Sequence, residues 1–412
     1  MASDDWKLSM SASSRYDNIE RITHTILTEC PEKREIAQQE AFRIESEAFE
    51  SCSTREEYDE ACSLSFGPTP ATIPEPPSLL FPDPGRNDTS VGFRIGPYEG
   101  CLPVGDGLTS TVYRAGSPSS TPATTRALKV IHPYQNFEPH NPQREVKILL
   151  SFDHPTIITL LESFRDQEQR LVLVFPFKPL TLANLFDSGP VTVARTRKIF
   201  RDILSALAYI HARGIIHRDI KPSAILLDSA DGPAYLSDFG TAWHPEFSSS
   251  SEPPGSMILD IGTGAYRPPD ALFGNKSYST PADMWSFGVL LSESASTNTP
   301  NPTPIFESPP THEDGSQLGL ILSIFRTLGT PTPETWPEAT KFRTTPFGMW
   351  RLFEVRPPEL VFSGVREEFR ALVAGLLKFE SSERFTAEKV CPSFFHIPQY
   401  LVDCLTRNLK GT

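Results

Sequence analysis

Two short segments in the middle of the chain carry residues that could move a proton and hold a phosphate. Residues 217–222 have the sequence HRDIKP, and residues 237–240 have the sequence SDFG. An aspartate in a polar loop can accept a hydroxyl proton, a lysine two positions later can neutralise a phosphoryl oxygen, and a second aspartate can bind Mg²⁺. Asp219, Lys221 and Asp238 are the candidates for these roles, because this order and spacing would rarely arise by chance.

A glycine-containing run lies earlier in the chain, at residues 105–112, with the sequence GDGLTSTV. Gly105 and Gly107 allow backbone amides to approach an anionic oxygen closely, and Val112 follows them in the run. The pair of glycines alone is a weak signal, since such pairs occur in many loops. The run lies between predicted strands and not before a helix, which disfavours a dinucleotide-binding turn and a P-loop.

A lysine and a glutamate follow the glycine run. Lys129 lies in an apolar segment typical of a strand, where a lysine that merely extends to the surface is the simpler interpretation. Residues 144–150, with the sequence REVKILL, predict a helix that could turn Glu145 toward Lys129. In that position the Glu145 carboxylate would hold Lys129.

The elements that must position these residues change character along the chain. Short β-type runs come first and predict a small antiparallel sheet, whereas apolar residues at helical spacing dominate from Val193 onward. The predicted strands are residues 98–115, 126–132 and 170–177. The further predicted helices are residues 281–296, 317–327 and 366–378. Two low-complexity runs, residues 248–254 and 298–310, are predicted to be loops.

The first 92 residues have a different composition. In residues 1–66, acidic and polar positions alternate with apolar ones at helical spacing, which predicts two helices separated near Pro31. Ser53 followed by Glu56 predicts a capping box that opens a third short turn. The segment fits either a solvated helical extension or an acidic docking or autoinhibitory element. Residues 67–92 contain seven prolines and predict a stiff extended linker.

The overall composition excludes several classes of protein. The 412 residues are 38% hydrophobic and 22% charged, as in an ordinary globular protein. The formal net charge of −13 argues against a nucleic-acid or anionic-membrane partner. The six cysteines lack metal-site spacing, and no apolar run approaches the about 18 residues of a membrane helix. We therefore expect reduced thiols and a location in the cytoplasm, the nucleus or both.

Taken together, these motifs resemble a eukaryotic protein kinase over about residues 98–398. The resemblance implies an α+β fold with two lobes, a β-rich N-lobe at 93–177 and a helical C-lobe at 178–400, followed by a tail at 401–412. It also implies ATP and Mg²⁺ as cofactors, bound between the lobes, and a protein that supplies a serine or threonine hydroxyl as substrate.

The resemblance assigns a role to each candidate residue. Lys129 would contact the α- and β-phosphates of ATP, and Glu145 would orient Lys129. Asp219 would be the catalytic base, Lys221 would steady the transferred phosphoryl group, and Asp238 would bind the metal ion. The remaining residues of the implied ATP site are Gly105, Gly107, Val112, Phe175 at the back of the adenine pocket and Phe177 in the hinge.

Within the kinases, the likeness is to the cyclin-dependent branch. Residues 262–270, GTGAYRPPD, match that branch's GT-x-x-YRAPE segment, and residues 324–337 are close to its FRxLGTPxxxxWP segment. Thr263 and Arg267 are thereby assigned to the activation segment that faces the protein substrate. The overall pattern is similar to fungal single-subunit kinases that activate cyclin-dependent kinases.

Two departures from the branch pattern affect the interpretation. Residues 140–145, HNPQRE, replace the helix with which that branch contacts a cyclin, so the need for a cyclin-type subunit stays open. Ala224 stands where the family has an asparagine that binds a second Mg²⁺. The chain is therefore either an active serine/threonine kinase or a pseudokinase scaffold with weak or no transfer, and an unrelated ATP-binding fold is the third alternative. Asp270 is expected to pair with Arg384, as the family's motif implies.

The activation segment lacks the phosphorylation site of the branch. Ile258 stands where the branch has a phosphorylated threonine, and only Arg144 and Arg218 remain of the three arginines that hold its phosphate. We expect another anchor, with Asp260 pairing to Arg218, and activity that does not require phosphorylation. In the alternative, a serine at position 256 or in residues 248–251 carries the phosphate.

Overall fold

The structure is a computed structural model that describes most of the chain. The described residues are 18–19, 21–23, 25–26, 37–52, 54–63, 92–107, 109–116, 124–132, 138–297, 301–309, 317–348 and 352–390. The predicted linker lies outside them except for its last residue, as do the predicted tail and parts of the 298–310 run. The chain divides into two compact units, Met1–Leu102 and Pro103–Thr412, which are described in turn.

The first unit contains the helices α1 (Ala37–Ser51) and α2 (Arg55–Ala61). Tyr58 of α2 and Glu45 of α1 are both fully buried, and the Tyr58 hydroxyl donates a hydrogen bond of 2.7 Å to the Glu45 carboxylate. The contact joins the two helices, and burial raises the pKa of Tyr58. The sequence predicted helices here but not this polar contact.

A capping box begins α2, one position later than the sequence predicted. Thr54 is the N-cap, its hydroxyl accepts from the backbone N–H of Glu57, and the Glu57 carboxylate accepts from the Thr54 N–H. The prediction of Ser53 and Glu56 was therefore wrong by one residue. Both pairs have the three-residue spacing of the box, so sequence spacing alone could not separate them.

The first unit ends in a β-hairpin. Strands β1 (Phe93–Ile95) and β2 (Tyr98–Asp106) are antiparallel, with Phe93 opposite Cys101 and Ile95 opposite Tyr98. Gly96 in the turn has a φ of 57°, a left-handed conformation that glycine adopts without steric cost. Strand β2 continues into the second unit, so the predicted β-type run at 98–115 is confirmed by β2 and the strand that follows it.

The second unit begins with an antiparallel sheet and one helix. Strands β3 (Ser110–Gly116), β4 (Thr125–Ile131), β5 (Glu162–Arg165) and β6 (Leu171–Pro176) lie side by side in the order β3-β4-β6-β5. Helix α3 (Pro142–Leu150) lies between β4 and β5 in the chain. These strands and α3 confirm the predictions at 126–132, 170–177 and 144–150.

The remainder of the second unit is mainly helical, as predicted. Its helices are α4 (Leu182–Asp187), α5 (Val193–His211), α6 (Pro269–Leu272), α7 (Pro281–Ser294), α8 (Leu318–Leu328), α9 (Pro358–Val361) and α10 (Glu367–Leu376). A small antiparallel sheet contains β7 (Leu180–Thr181), β8 (Ile225–Leu227) and β9 (Ala234–Leu236) in that order. None of the described helices is both long and apolar enough to cross a bilayer.

Helix α7 is the centre of the helical core. All of its residues from Ala282 to Ser294 are buried, and it packs against α5 and α10. A helix buried on every side needs apolar residues all round, and α7 supplies them except for a few polar side chains. One of these is Asp283, near its start, which is 1% exposed. A buried carboxylate must be hydrogen-bonded or paired, so its partners identify what the helix holds in place.

Candidate active site

The loop between α5 and β8 brings the predicted catalytic residues together. The Asp219 carboxylate lies 2.6 Å from the Lys221 ammonium and accepts a hydrogen bond of 2.7 Å from the Thr263 hydroxyl. Lys221 also donates to the same hydroxyl, at 3.2 Å. Thr263 lies more than 40 residues after Asp219 and Lys221 in the sequence, and the fold places the polar atoms of all three in one cluster. A proton acceptor thus lies directly beside a cation.

Asp283 holds the backbone of this loop. Its carboxylate accepts from the backbone N–H groups of His217, at 2.9 Å, and Arg218, at 2.8 Å. It also contacts the His211 ring at 2.8 Å. Burial would raise the pKa of Asp283, but these hydrogen bonds, first of all that of His211, lower it below its usual value. A carboxylate inside an otherwise apolar helix is itself a sign, readable from the sequence, of such a role.

The backbone at Arg218 is in a conformation that needs this support. Its φ of 73° is in the left-handed region, which costs free energy for a residue with a side chain. The two N–H bonds to Asp283 stabilise that conformation. His217 adds a link to the next motif, because its ring donates to the carbonyl of Ser237 at 2.9 Å.

The second cluster joins Lys129, Glu145 and Asp238. The Lys129 ammonium lies 2.8 and 3.0 Å from the two Glu145 oxygens and 2.9 Å from the Asp238 carboxylate. The expected approach of Glu145 to Lys129 is thus confirmed. Burial alone would lower the pKa of Lys129, but the two carboxylates raise it, and Lys129 in turn lowers the pKa of Asp238. Burial raises the pKa of Glu145, and the charge of Lys129 opposes that rise.

Contacts at the first turn of α3 hold this helix where Glu145 can pair with Lys129. The Asn141 side chain caps the helix by accepting from the Arg144 N–H at 2.9 Å. The Asn141 backbone N–H donates to the carbonyl of Gly240 at 2.9 Å, which ties the helix to the segment after Asp238. Glu145 lies in the first turn, where the helix dipole favours a carboxylate.

The glycine run forms the turn between β2 and β3. The Gly107 N–H donates to the carbonyl of Ser110 at 3.0 Å, and Gly105 is an exposed residue near the end of β2. Strand β3 then places Val112 directly opposite Lys129 of β4. The structure therefore brings the glycine turn, Val112 and Lys129 onto one strand pair, which is the arrangement that the nucleotide-binding assignment requires.

The two predicted adenine-side residues lie at the end of β6. Phe175 is buried and lies opposite Ala127 of β4. The Phe177 N–H donates to the carbonyl of Thr125 at 3.3 Å, and the guanidinium of Arg114 lies 5.9 Å from the centre of its ring. Phe175 is thus on the strand that pairs with β4, which carries Lys129, and Phe177 follows directly after that strand. Their contacts with adenine stay a prediction.

Asp238 has the properties of a magnesium ligand. Its side chain is 40% exposed, although Lys129 lies beside it. Mg²⁺ usually takes one or two protein carboxylates together with phosphate oxygens and water, so one accessible aspartate fits the ion. Ala224 is buried and has no ligand atom, while its neighbour Ser223 is exposed. In the described part of the chain there is also no group of three or more acidic, histidine or cysteine side chains that could hold a metal.

Replacing Ala224 with asparagine tests how much a second ligand matters. We expect turnover to stay the same or to rise, because Asp238 already supplies one carboxylate and an added amide could stabilise charge in the transition state. The measurement is kcat at saturating ATP over a range of Mg²⁺ concentrations. A fall of tenfold or more, about 1.4 kcal/mol of barrier, would show that the loop requires alanine.

Of the two ion pairs predicted for the activation segment, the structure contains one and not the other. Asp270 lies 2.7 Å from Arg384, as expected. Asp260 does not pair with Arg218, so that prediction was wrong, and its partner is Arg267 at 2.9 Å. Asp260 and Arg267 are seven positions apart in the sequence, and the path of the loop brings them together. Arg218 is buried and pairs with Glu252.

Comparison with known proteins agrees with this geometry. A family model described as protein kinase domain matches residues 98–395. Serine/threonine-protein kinase csk1 of Schizosaccharomyces pombe is 36% identical over 261 residues, which are 62% of this chain and 80% of that protein. Cyclin-dependent kinase 7 of Carassius auratus is 31% identical over 295 residues, which are 71% of this chain and 80% of that protein.

A solved structure supports the same assignment. A chain in the crystal structure of the yeast RNA Pol II CTD kinase CTDK-1 complex matches with a TM-score of 0.60 and 27% identity, over 78% of this chain and 97% of that chain. The expected α+β fold, with a β-rich N-lobe and a helical C-lobe, is thereby confirmed. The pseudokinase alternative finds no support, since the matched relatives are named as kinases. The chain belongs to the protein kinase family, in its cyclin-dependent branch, and is a protein serine/threonine kinase.

Proposed function

We propose that this kinase transfers the γ-phosphoryl group of ATP to the activation segment of other kinases of the cyclin-dependent branch, and that it does so as a single polypeptide. The observation that carries the proposal is the complete Lys129, Glu145 and Asp238 cluster. The likeness to csk1 and to cyclin-dependent kinase 7 supports the substrate class.

The residues would divide the reaction as follows. Lys129 binds the α- and β-phosphates, and Asp238 holds Mg²⁺, which neutralises phosphate charge when bound. Asp219 accepts the proton of the substrate hydroxyl while the hydroxyl oxygen attacks the γ-phosphorus. The bond to the bridging oxygen breaks and leaves its electron pair on ADP. Lys221 lies beside Asp219, where its ammonium stabilises the charge on the transferred phosphoryl oxygens.

The contacts of α3 support action without a cyclin-type subunit. The Asn141 N–H donates to the carbonyl of Gly240, so a contact within the chain holds the helix next to the segment that follows Asp238. The acidic net charge favours protein partners over nucleic acid, and the scattered cysteines favour the cytoplasm or nucleus.

The direct test uses a protein substrate that cannot phosphorylate itself. A kinase of the cyclin-dependent branch, inactivated at its own catalytic aspartate, is incubated with this protein and radiolabelled ATP, and the modified residue is located by mass spectrometry. We expect one phosphate per molecule, on the activation-segment threonine. The matched control is the same substrate with that threonine changed to alanine, which should receive none.

Two outcomes would contradict parts of the proposal. Transfer to general serine or threonine peptides without transfer to the inactive kinase would refute the substrate class and leave the kinase activity intact. Transfer that appears only after addition of a cyclin-type subunit would refute action as a single polypeptide.

A further inference from the structure

A buried ion pair links the loop between α5 and β8, which carries Asp219 and is called the catalytic loop below, to the activation segment. The Arg218 guanidinium lies 2.5 Å and 3.0 Å from the two carboxylate oxygens of Glu252, in a two-pronged contact. The side chain of Arg218 is 0% exposed and that of Glu252 is 3% exposed. Glu252 belongs to the low-complexity run at residues 248–254, whose sequence predicts only a loop.

A buried ion pair of this kind stabilises a protein only when its geometry is good. A guanidinium removed from water needs a charged acceptor in good geometry, since an unpaired buried charge destabilises a protein strongly. Planar pairing of a carboxylate with both nitrogens of an arginine provides that geometry. Arg218 directly precedes Asp219, so whatever fixes its side chain acts next to the proposed proton acceptor.

Glu252 is itself fixed by the segment around it. Its carboxylate accepts from the backbone N–H of Ile258 at 2.7 Å, and its backbone carbonyl accepts from the Trp243 indole at 2.9 Å. Its own N–H donates to the carbonyl of Ser248 at 2.8 Å. Glu252 therefore ties together three points of the segment that follows Asp238.

The same carboxylate also acts on α3. Burial lowers the pKa of the Arg144 guanidinium, and the charges of Glu138 and Glu252 counter this effect. Arg144 is 4% exposed and precedes Glu145 in the first turn of the helix. The charge of Glu252 thus pairs with Arg218 and also favours the charged form of Arg144 on α3.

We propose that Glu252 is a positioning residue for phosphoryl transfer, a permanent carboxylate that anchors the activation segment to the catalytic loop so that no phosphate is needed there. Ile258, which stands at the position of the branch's phosphorylated threonine, gives its N–H to this carboxylate. The proposal rests on the kinase activity of the chain and not on the identity of its substrate.

The test compares two glutamates of one segment. Glu252→Gln keeps the shape of the side chain and removes its charge, whereas Glu246→Gln changes an exposed glutamate six positions earlier. With a generic serine/threonine peptide as substrate, we expect Glu252→Gln to lower kcat at least tenfold while KM for ATP changes less than twofold. Glu246→Gln should match the unchanged protein. A kcat within twofold for Glu252→Gln would overturn the proposal.

A second variant separates positioning from folding. Glu252→Asp keeps the charge but shortens the side chain by one methylene, so it should preserve the melting temperature within about 3 °C while kcat falls severalfold. If Glu252→Gln does not fold, this variant decides the matter, and an unchanged kcat for Glu252→Asp would overturn the proposal. A purely structural contact would lower stability without separating kcat from the KM for ATP.

Phosphatase treatment tests the absence of a phosphate. Protein made in bacteria, treated with phosphatase and shown by intact mass to be unmodified, should keep its full rate. A severalfold loss that an upstream kinase restores by modifying Ser256 or a serine in residues 248–251 would show that the segment is switched in the ordinary way, and the proposal would fail.

Discussion

Changing Asp219 to asparagine should lower kcat about a thousandfold and leave the dissociation constant for ATP within about twofold. General base catalysis contributes about a hundredfold to ten-thousandfold, and an amide cannot accept the hydroxyl proton. Nucleotide binding should persist, because Lys129 and Asp238 belong to the other cluster and are not altered. Single-turnover transfer and ATP binding by fluorescence measure the two quantities separately.

The control for this variant is Asp187→Asn, which changes an exposed aspartate at the end of α4 and should have no effect on either quantity. If Asp219→Asn loses ATP binding together with transfer, the assignment of proton transfer to Asp219 and of phosphate binding to Lys129 and Asp238 is wrong. A residual rate within tenfold of the unchanged enzyme would instead show that Asp219 is not the proton acceptor.

Changing Arg384 to methionine should lower the free energy of unfolding by about 3–5 kcal/mol, the range found when a buried ion pair loses one partner. The Arg384 side chain is 0% exposed and lies 2.7 Å from Asp270. It also donates to the backbone carbonyls of Lys378, Phe379 and Pro281. The variant leaves those acceptors and a buried carboxylate without a partner.

The loss of stability in Arg384→Met should increase as the pH rises. Burial raises the pKa of Asp270, and Arg384 opposes that rise, so removal of Arg384 raises the pKa further. The folded variant then binds a proton that the unfolded chain has released, and its stability falls as pH rises through that range. The deficit should therefore be smaller at pH 5 than at pH 8.

Denaturant unfolding at both pH values measures this effect. Arg356→Met changes an exposed arginine and should shift stability by no more than about 0.5 kcal/mol. A loss below about 1 kcal/mol for Arg384→Met, or an equal loss at both pH values, would contradict the account of the pair.

The two clusters of candidate site residues were predictable because their members are close in the sequence or lie on regular elements. Asp219 and Lys221 are two positions apart in one loop, and a helix with Glu145 in its first turn has few places to lie against a strand that carries Lys129. The roles of these residues toward ATP and substrate stay predictions, but their convergence did not require the structure.

The partners of Arg218 and Asp260 could not be predicted in this way. Both Glu252 and Asp260 are acids in a segment without regular helices or strands, and their distance from Arg218 depends on the path of the backbone. The serine-rich composition of residues 248–251 suggested a solvated loop, yet Ser248 and Glu252 are buried. Composition does not report burial when the buried group is charged and finds its partner far along the chain.

The hydrogen bond from Asn141 to Gly240 has a consequence for the design of inhibitors. A protein that adopts its competent state in only one molecule in a hundred binds a ligand of that state about a hundredfold more weakly than the state itself would. Here the backbone contact keeps α3 inward, so compounds that recognise the paired Lys129 and Glu145 meet their binding form directly. Compounds that require a displaced helix must first separate this ion pair. The free energy of that separation is subtracted from their binding free energy.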